Sequence, residues 1–500
     1  MSSNIDPAFQ AHIQHDVAIV GFGPAGAVLA NLLAIKGLSV LVLDREADVY
    51  RLPRAIHFDG ECMRVFQTLG ISDELMAQLF VSPGMKFVNA EGKVLIDYTR
   101  SVELGGQAWH PGYRFHQPDF EDVLRKKLEQ YPQVEVRLRH DVFAITEHED
   151  GVELRVEDTS CGRLLKAHAR YVVGCDGARS TVRRMMGTEL DDLNSHERWL
   201  VVDVLLQRER SDLGDHSIQY CDPRRPATYV RGVGERRRWE FMLMPVDDPT
   251  TITRPESVWS LLAPWVTPAD AVLERPAVYT FHSVVAKGWR NGRLLIAGDA
   301  AHQTPPFMGQ GMCAGVRDVY NLAWKLADVV QGHASETLLD TYESERSPHV
   351  REFIETAVRF GKVIQATDHE VVKKRDASML ANTEVFHTPQ PALGSGAHEG
   401  GRIAGTVSVQ PVLRDGTRLD DVVGYRFVLV ANPDICSDLN VTPDERVAVI
   451  PAHDPSLKNW LESLSAQAVL VRPDRYIAGA ASDVGKVQDL IQVFVGSAVL

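Results

Sequence analysis

The hexapeptide Gly21-Phe22-Gly23-Pro24-Ala25-Gly26 is the first stretch whose residue types and spacing suggest chemistry. Three glycines placed this way let a backbone approach a pyrophosphate. A helix that starts inside the motif aims its N–H groups and the positive end of its dipole at the phosphates. Asp44, downstream, offers a carboxylate to ribose hydroxyls. The motif alone does not separate FAD from NAD. A second stretch, Arg293-Leu294-Leu295-Ile296-Ala297-Gly298-Asp299-Ala300-Ala301-His302, ends an apolar run in Gly298 and Asp299. It delivers a carboxylate to the carboxyl end of a strand, where sheets of this kind bind ligands and where a ribityl chain needs an acceptor. Directly after it comes Pro305-Pro306-Phe307-Met308-Gly309-Gln310-Gly311-Met312, in front of a long apolar helix. Glycines there expose N–H groups able to stabilise negative charge on a reduced flavin ring. Asp176-Gly177 closes another strand and carries little by itself. Taken singly, each stretch also reads as an ordinary turn or helix entry; it is the combination that points to a flavin dinucleotide.

The elements that must position these residues follow from the hydrophobic pattern. Asp16 to Val20 reads as a buried strand, about Ala25 to Lys36 as a helix stopped by Gly37, and Leu38 to Leu43 as a second strand, a βαβ opening. Tyr113 to Leu128 reads as a helix with a polar entry, Val134–Leu138 and Val152–Val156 as strands, and Tyr171–Val173 as the strand leading into Asp176. From about Gly187 to Phe281 the pattern becomes that of a largely antiparallel sheet, with strands at Trp199–Leu206, Ser217–Tyr220, Ala227–Val230 and Trp239–Met244. Long helices are expected over Met312–Val330 and Leu338–Ile364. The fold class is therefore α/β: a Rossmann-like dinucleotide domain, a mixed or antiparallel-sheet substrate domain, and a smaller α/β unit at the C-terminus. Residues 1–186 form the first part of the dinucleotide domain, with 74–110 contributing to the substrate domain. Residues 187–285 form the substrate sheet, 286–386 the return to the first domain, 387–402 a Pro- and Gly-containing linker, and 403–500 the C-terminal unit.

Bulk properties agree with a globular enzyme of several domains: 500 residues, 44% hydrophobic, 24% charged. A net charge of −14 argues against a nucleic-acid partner. Arg236-Arg237-Arg238 reads as a solvated turn before a phosphate contact. The polar segment Met1–His15 lacks a signal-peptide core, and no apolar run is long enough for a membrane span. Six cysteines without a C-x-x-C pair favour reduced thiols, no metal site and a cytoplasmic location.

These motifs, with Leu52-Pro53-Arg54-Ala55-Ile56-His57-Phe58-Asp59, Cys175-Asp176-Gly177, the helix Val316–Leu326 and Tyr342-Glu343-Ser344-Glu345-Arg346, resemble the aromatic-ring flavoprotein hydroxylases. That family includes the para-hydroxybenzoate and phenol hydroxylases, and the likeness is strongest to its 3-(3-hydroxyphenyl)propionate hydroxylase branch. The resemblance covers residues 15 to about 365. Leu470–Tyr476 looks like the thioredoxin-like appendage of phenol-hydroxylase relatives, here without a redox C-x-x-C, so its role is packing or dimerisation, and a homodimer is compatible with it.

The resemblance implies non-covalent FAD, NADH or NADPH as reductant, and oxygen transfer to a small phenol through a flavin C4a-hydroperoxide. It places Gly21, Gly23, Pro24, Ala25 and Gly26 at the pyrophosphate, Asp44 and Arg45 at the adenosine end, and Arg54 and Gln117 along the pyrophosphate and ribityl chain. Asp299 falls in the ribityl or pyrophosphate region, and Gly309, Gln310, Gly311 and Met312 at the isoalloxazine. Asp176, Gly298 and Pro306 are counted with the cofactor-binding residues, and Pro306 also among the groups near the substrate. Asp59 is the expected base for the phenol proton, with His57 as runner-up. Tyr229, Arg231, Trp239 and Met242 are expected to line the substrate. Two rival readings are a polyketide-type aromatic hydroxylase of the same architecture and a non-catalytic flavin-binding protein. The first would take a larger substrate. The second would lose the isoalloxazine-side residues, which this chain keeps.

Overall fold

The strand Gln14–Val20 pairs in parallel with Val40–Asp44 on one side and with Arg163–Gly174 on the other. Val134–Leu138 and Leu294–Ile296 extend the parallel run at its two ends. Val17, Ala18 and Ile19 are fully buried, as expected of a strand covered on both faces. The structure, a computed structural model, describes residues 14–51, 54–382, 384–439 and 446–496. The polar N-terminal segment as far as residue 13, and Leu52 and Pro53 of the hydroxylase-like motif, lie outside the described residues. The carboxyl ends of these strands bring Gly21, Asp44, Asp176 and Asp299 to one edge of the sheet. Arg163–Gly174 is long enough to pair also with Val152–Asp158, which pairs in turn with His140–Glu147.

The helix Pro24–Ile35 is apolar almost all round, and its residues from Gly26 to Ala34 are buried. Its one polar core residue, Asn31, donates Nδ2 to Ala27 O and Leu124 O at 2.9 and 3.1 Å. The segment expected as a helix from Tyr113 starts later. Tyr113–Arg114 is a short strand between His57–Phe58 and Phe80–Val81, and the helix runs Gln117–Leu128. Pro118 sits in its first turn, where a missing N–H costs nothing.

A second sheet has nine strands, with Glu189–Leu206 and Ala271–Lys287 as its long antiparallel pair. Gly84–Asn89 and Val94–Thr99 join it from the 74–110 stretch, and Glu384–Val385 forms its far edge. Its strands alternate sides. Leu200, Val202, Tyr229, Trp239 and Phe241 form an apolar core under the helix Pro255–Leu262. Trp199 and Met242 face the other way, toward Phe307 and Met308.

The C-terminal unit is a four-stranded sheet in the order Val447–Pro451, Phe427–Ala431, Ala468–Val471, Ile477–Ala481. One of its faces merges with the core of the first unit: Tyr425 stacks on Tyr320 at 5.4 Å and Phe427 meets Trp324 edge to face at 5.4 Å. The 387–402 stretch expected as a linker is packed. A side chain on Gly394 would strike Ser344 O at 2.0 Å, and Ala397 N donates to Glu345 at 2.6 Å. Glu345 is the centre of the joint. Fully buried, it accepts from Asn321, Lys325 and Arg472 at 2.7 to 2.9 Å, and Arg472 also holds Asp474. Burial alone would raise its pKa, but Arg472 and Lys325 hold the carboxyl below the ordinary range.

Removing one member of a buried ion network strands the others. Arg472→Ala should lower stability by about 3–5 kcal/mol, read as a fall in the thermal midpoint. A midpoint equal to wild type would mean that the two units are not locked by this network.

Candidate active site

The glycine motif is built as a cradle. Gly21 has φ +100°, and a Cβ there would lie 2.5 Å from Cys175 O; a Cβ on Gly26 would lie 2.1 Å from Gly21 O. Both are needed for packing. A Cβ on Gly23 would meet nothing within 4 Å, so this glycine leaves room at the start of the helix Pro24–Ile35, which carries no side-chain cap. Asp44 closes the loop by accepting Phe22 N at 2.5 Å and Glu46 N at 2.8 Å. Arg45 stays on the surface beside Glu46. Arg125 stacks on the Phe22 ring at 4.4 Å and donates to Phe22 O at 3.1 Å, bringing a cation to the loop. Nothing in its local sequence marked it.

Further along the edge, Asp176 accepts Thr181 N and Val182 N through Oδ2, while its buried Oδ1 has no protein partner. Asp299 is open to solvent yet has a raised pKa, because protein surrounds the carboxyl; Arg54 and His302 offset that only in part. An accessible carboxyl whose charge is poorly compensated is placed to meet a ligand's hydroxyls. Gly298, at φ +62°, makes the turn that presents it. Asp318, fully buried, fixes that turn by accepting Gly298 N at 3.1 Å, His302 Nε2 at 2.5 Å and Arg346 Nε at 3.1 Å. Gln117 holds the 54–57 loop through the N–H groups of Arg54 and Ala55, at 2.9 and 2.7 Å, whereas the Arg54 side chain lies exposed over Tyr50.

At the far end, Pro306–Met308 forms a tight turn and Gly309 takes the left-handed conformation, φ +64°. The helix Gly311–Val330 then begins without a side-chain cap, and a Cβ on Gly311 would meet nothing within 4 Å. Gln310 is buried, accepts from Arg317 at 3.2 Å and leaves Nε2 unpartnered; Met312 is partly buried beside it. Two uncapped helix N-termini, open room at Gly23 and Gly311, an orphaned acceptor at Asp176 and an orphaned donor at Gln310 together fit a flavin dinucleotide.

The substrate side departs from expectation. Asp59 caps the helix Gly60–Thr68 through Cys62 N at 3.1 Å and pairs with Arg317 at 2.6 Å. Burial would raise its pKa, but Arg317 and the capping bond outweigh burial and hold the carboxyl below the usual range, which makes it a poor base. His57 is a poor base too. Burial, then Arg100 and Arg114, push its pKa well down; Arg100 occupies Nε2, and Nδ1 faces Gly309 O at 3.4 Å. Tyr229 and Trp239 are in contact with each other in the core on the opposite face of the sheet. Arg231 pairs with Asp215 at 3.0 Å and covers Phe80. Of the four expected lining residues, only Met242 faces the Phe307 side. Asp59, Cys62 and Cys313 bring three ligand-type atoms within 4.8 Å, but Asp59 is taken by Arg317, and burial pushes the Cys62 thiol well up, away from the thiolate a metal needs.

Glu240 was missed. It shares the inner face with Met242, two residues on, and lies across the strands from Thr228 and Val201. Burial raises its pKa, with Arg238, whose guanidinium lies 4.0 Å from the carboxylate, opposing. Alternation from the core residues Trp239 and Phe241 was the signal available in the sequence.

Because Asp59 neutralises Arg317, Asp59→Asn should destabilise the protein by about 3 kcal/mol or more. Thermal melting of the FAD-loaded variant checks this. An unchanged melt with lost hydroxylation would return Asp59 to the role of base.

Residues 14–357 match the family model described as FAD binding domain. Among curated proteins, the chain is 37% identical to a probable NADH-specific resorcinol 4-hydroxylase of Rhodococcus jostii (strain RHA1), covering 99% of this chain and 98% of that one. It is 35% identical to a 3-(3-hydroxy-phenyl)propionate/3-hydroxycinnamic acid hydroxylase of Burkholderia cenocepacia (strain HI2424), over 94% of each. Among solved structures, the flavin-dependent monooxygenase PieE in complex with FAD and substrate superposes with a TM-score of 0.80 at 23% identity, over 96% of this chain and 98% of that one. Aklavinone-11 hydroxylase with FAD and aklavinone gives 0.76 at 21%, over 96% and 99%. With its glycine cradle, its Asp299 turn and a family match running from the first strand into the second long helix, the chain belongs to the FAD binding domain family of flavoproteins.

Proposed function

We propose that the protein is a monooxygenase that uses FAD, a reduced nicotinamide and molecular oxygen to hydroxylate a small phenol. The observation that carries this reading is the joining of two features. The ring end of the cleft, Gly309–Met312, follows directly on Phe307 and Met308, which pack against the inner face of the nine-stranded sheet. Near-full-length likeness to two aromatic hydroxylases supports it, and the resorcinol enzyme's name favours NADH.

Bound FAD supplies electron exchange with the nicotinamide and activation of oxygen. The chain's own residues bind and orient it without a covalent link. The Gly21–Gly26 loop and the first N–H groups of the Pro24–Ile35 helix hold the pyrophosphate, with Arg125 adding charge. Asp44 takes the adenosine ribose, Asp176 and Asp299 the ribityl hydroxyls, and Gly311, Met312 and Gln310 the ring. Phe307, Met308, Trp199 and Met242 exclude water from the space beyond. Glu240 receives the phenol proton, since an ionised ring gives up electrons to oxygen more readily than a neutral one. Its raised pKa matches it to that task better than Asp59, whose pKa is lowered. Among the described residues no helix is long and apolar enough to cross a membrane, and all six cysteines are unpaired. Unpaired thiols accord with a cytoplasmic location.

Adding a phenol such as resorcinol or 3-(3-hydroxyphenyl)propionate to the FAD-loaded protein should speed NADH oxidation and give hydroxylated product. No response to either would overturn the reading. Glu240→Gln should keep FAD and slow hydroxylation by about 10²- to 10⁴-fold. In wild type the rate should fall as pH drops through a pKa above the ordinary glutamate value, because the carboxylate is the active form. The variant should lack that acid limb.

A further inference from the structure

Two buried arginines beside this cleft lack the carboxylate that most buried arginines of the chain meet. Arg100 and Arg114 are 8% and 4% exposed. Other buried arginines meet a carboxylate, as Arg317 does at 2.6 Å, Arg472 at 2.8 Å and Arg346 at 3.1 Å. Arg183 instead donates to two main-chain carbonyls. Among the described residues, neither Arg100 nor Arg114 is ion-paired. Arg100 donates to His57 and to Tyr98 Oη at 2.8 Å, and Arg114 to Ser217 Oγ at 2.6 Å, all neutral acceptors. Nε of both is buried without a partner. The two guanidiniums act on each other and on His57: burial, then Arg100, push the Arg114 pKa down to about 9. A buried cation left this way is costly unless an anion completes it.

The position says which anion. Arg114 lies opposite His57 in the three-stranded sheet, and His57 packs against Gly309 at the ring end of the cleft. Its guanidinium reaches Ser217 on the inner face of the nine-stranded sheet, so it spans the seam where the substrate must lie. Glu240 on that face influences Arg114 but is not within ion-pair distance among the described residues. We infer that Arg100 and Arg114 form a subsite for a carboxylate carried on the phenolic substrate, so that the substrates are hydroxyaryl acids rather than neutral dihydroxybenzenes. This rests on the hydroxylase reading and narrows it.

The test is binding, not turnover. FAD-loaded, full-length protein without NADH is titrated with 3-(3-hydroxyphenyl)propionate and with its neutral analogue 3-(3-hydroxyphenyl)propan-1-ol, following the visible flavin spectrum. Wild type should bind the acid about 10- to 100-fold more tightly, the range expected of charge-assisted hydrogen bonds. Arg114→Gln and Arg100→Gln should each erase most of that preference. Arg114→Lys, which keeps the charge and loses the fork, should retain part of it. Equal affinities in wild type would overturn the inference, as would a preference that survives both glutamine variants. Should a glutamine variant fail to hold FAD, the wild-type ratio and Arg114→Lys still decide. Protein that holds FAD but binds neither phenol would overturn the hydroxylase reading itself, and the inference with it.

Discussion

Two helices can aim their N-termini into one cleft only if nothing bulky stands where they cross. In this chain the crossing is made of small residues. A Cβ on Gly315 would come within 3.2 Å of Gly298 Cα, and a Cβ on Gly298 would lie 3.4 Å from Ala25 Cβ. Gly26 packs on Gly21 more tightly still. A methyl group at Gly26 or Gly315 would push helix from loop or helix from turn, an overpacking that typically costs about 1–3 kcal/mol. It would also turn the dipole ends and free N–H groups away from a shared ligand. Asp318 secures the same junction from below by tying the Gly298 turn to Arg346 on the second long helix. The cofactor cradle is thus a consequence of packing, and the rest of the site is laid out from it.

Charge compensation separates the groups that hold the fold from those free to do chemistry. Asp59, Asp318 and Glu345 are buried carboxylates with arginine partners at 2.6 to 3.1 Å. Arg317, Arg346 and Arg472 spend their charge on them. Each pair joins distant segments, and the Glu345 cluster fastens the C-terminal unit to the long helices. Arg100, Arg114 and Asp299 lack an ion pair among the described residues, and Glu240 meets its cationic partner, Arg238, at 4.0 Å. They cluster on the cleft and on the sheet face above it. Uncompensated charge in a rigid setting is where substrate or cofactor supplies the missing partner.

The cradle was legible in the sequence because its physics is local. A glycine spacing, a following apolar helix and a carboxylate at a strand end are all read within a few residues of one another. The α/β character and the antiparallel middle sheet followed from hydrophobic period in the same way. The substrate side was less legible because it depends on which face a strand turns and on partners far away. Asp59 stood in a family-like position, but its role is set by Arg317, far along the chain. Trp239 and Met242 are three apart on one strand, so period two alone already puts them on opposite faces. Arg114 sat inside a stretch read as helix, which hid that it belongs to a strand beside His57. The packing of the C-terminal unit rests on Tyr320 and Trp324 meeting Tyr425 and Phe427, a match that no local pattern signals.

The central claim is that the cleft holds FAD for oxygen transfer to a phenol lying against the inner sheet face. The most direct test is to run the purified, FAD-loaded protein with NADH and a phenol under ¹⁸O₂ and to weigh the product by mass spectrometry. The account predicts one labelled oxygen in each hydroxylated ring. Product oxygen drawn from water, or NADH consumed with peroxide as the only oxygen product for every phenol tried, would contradict it.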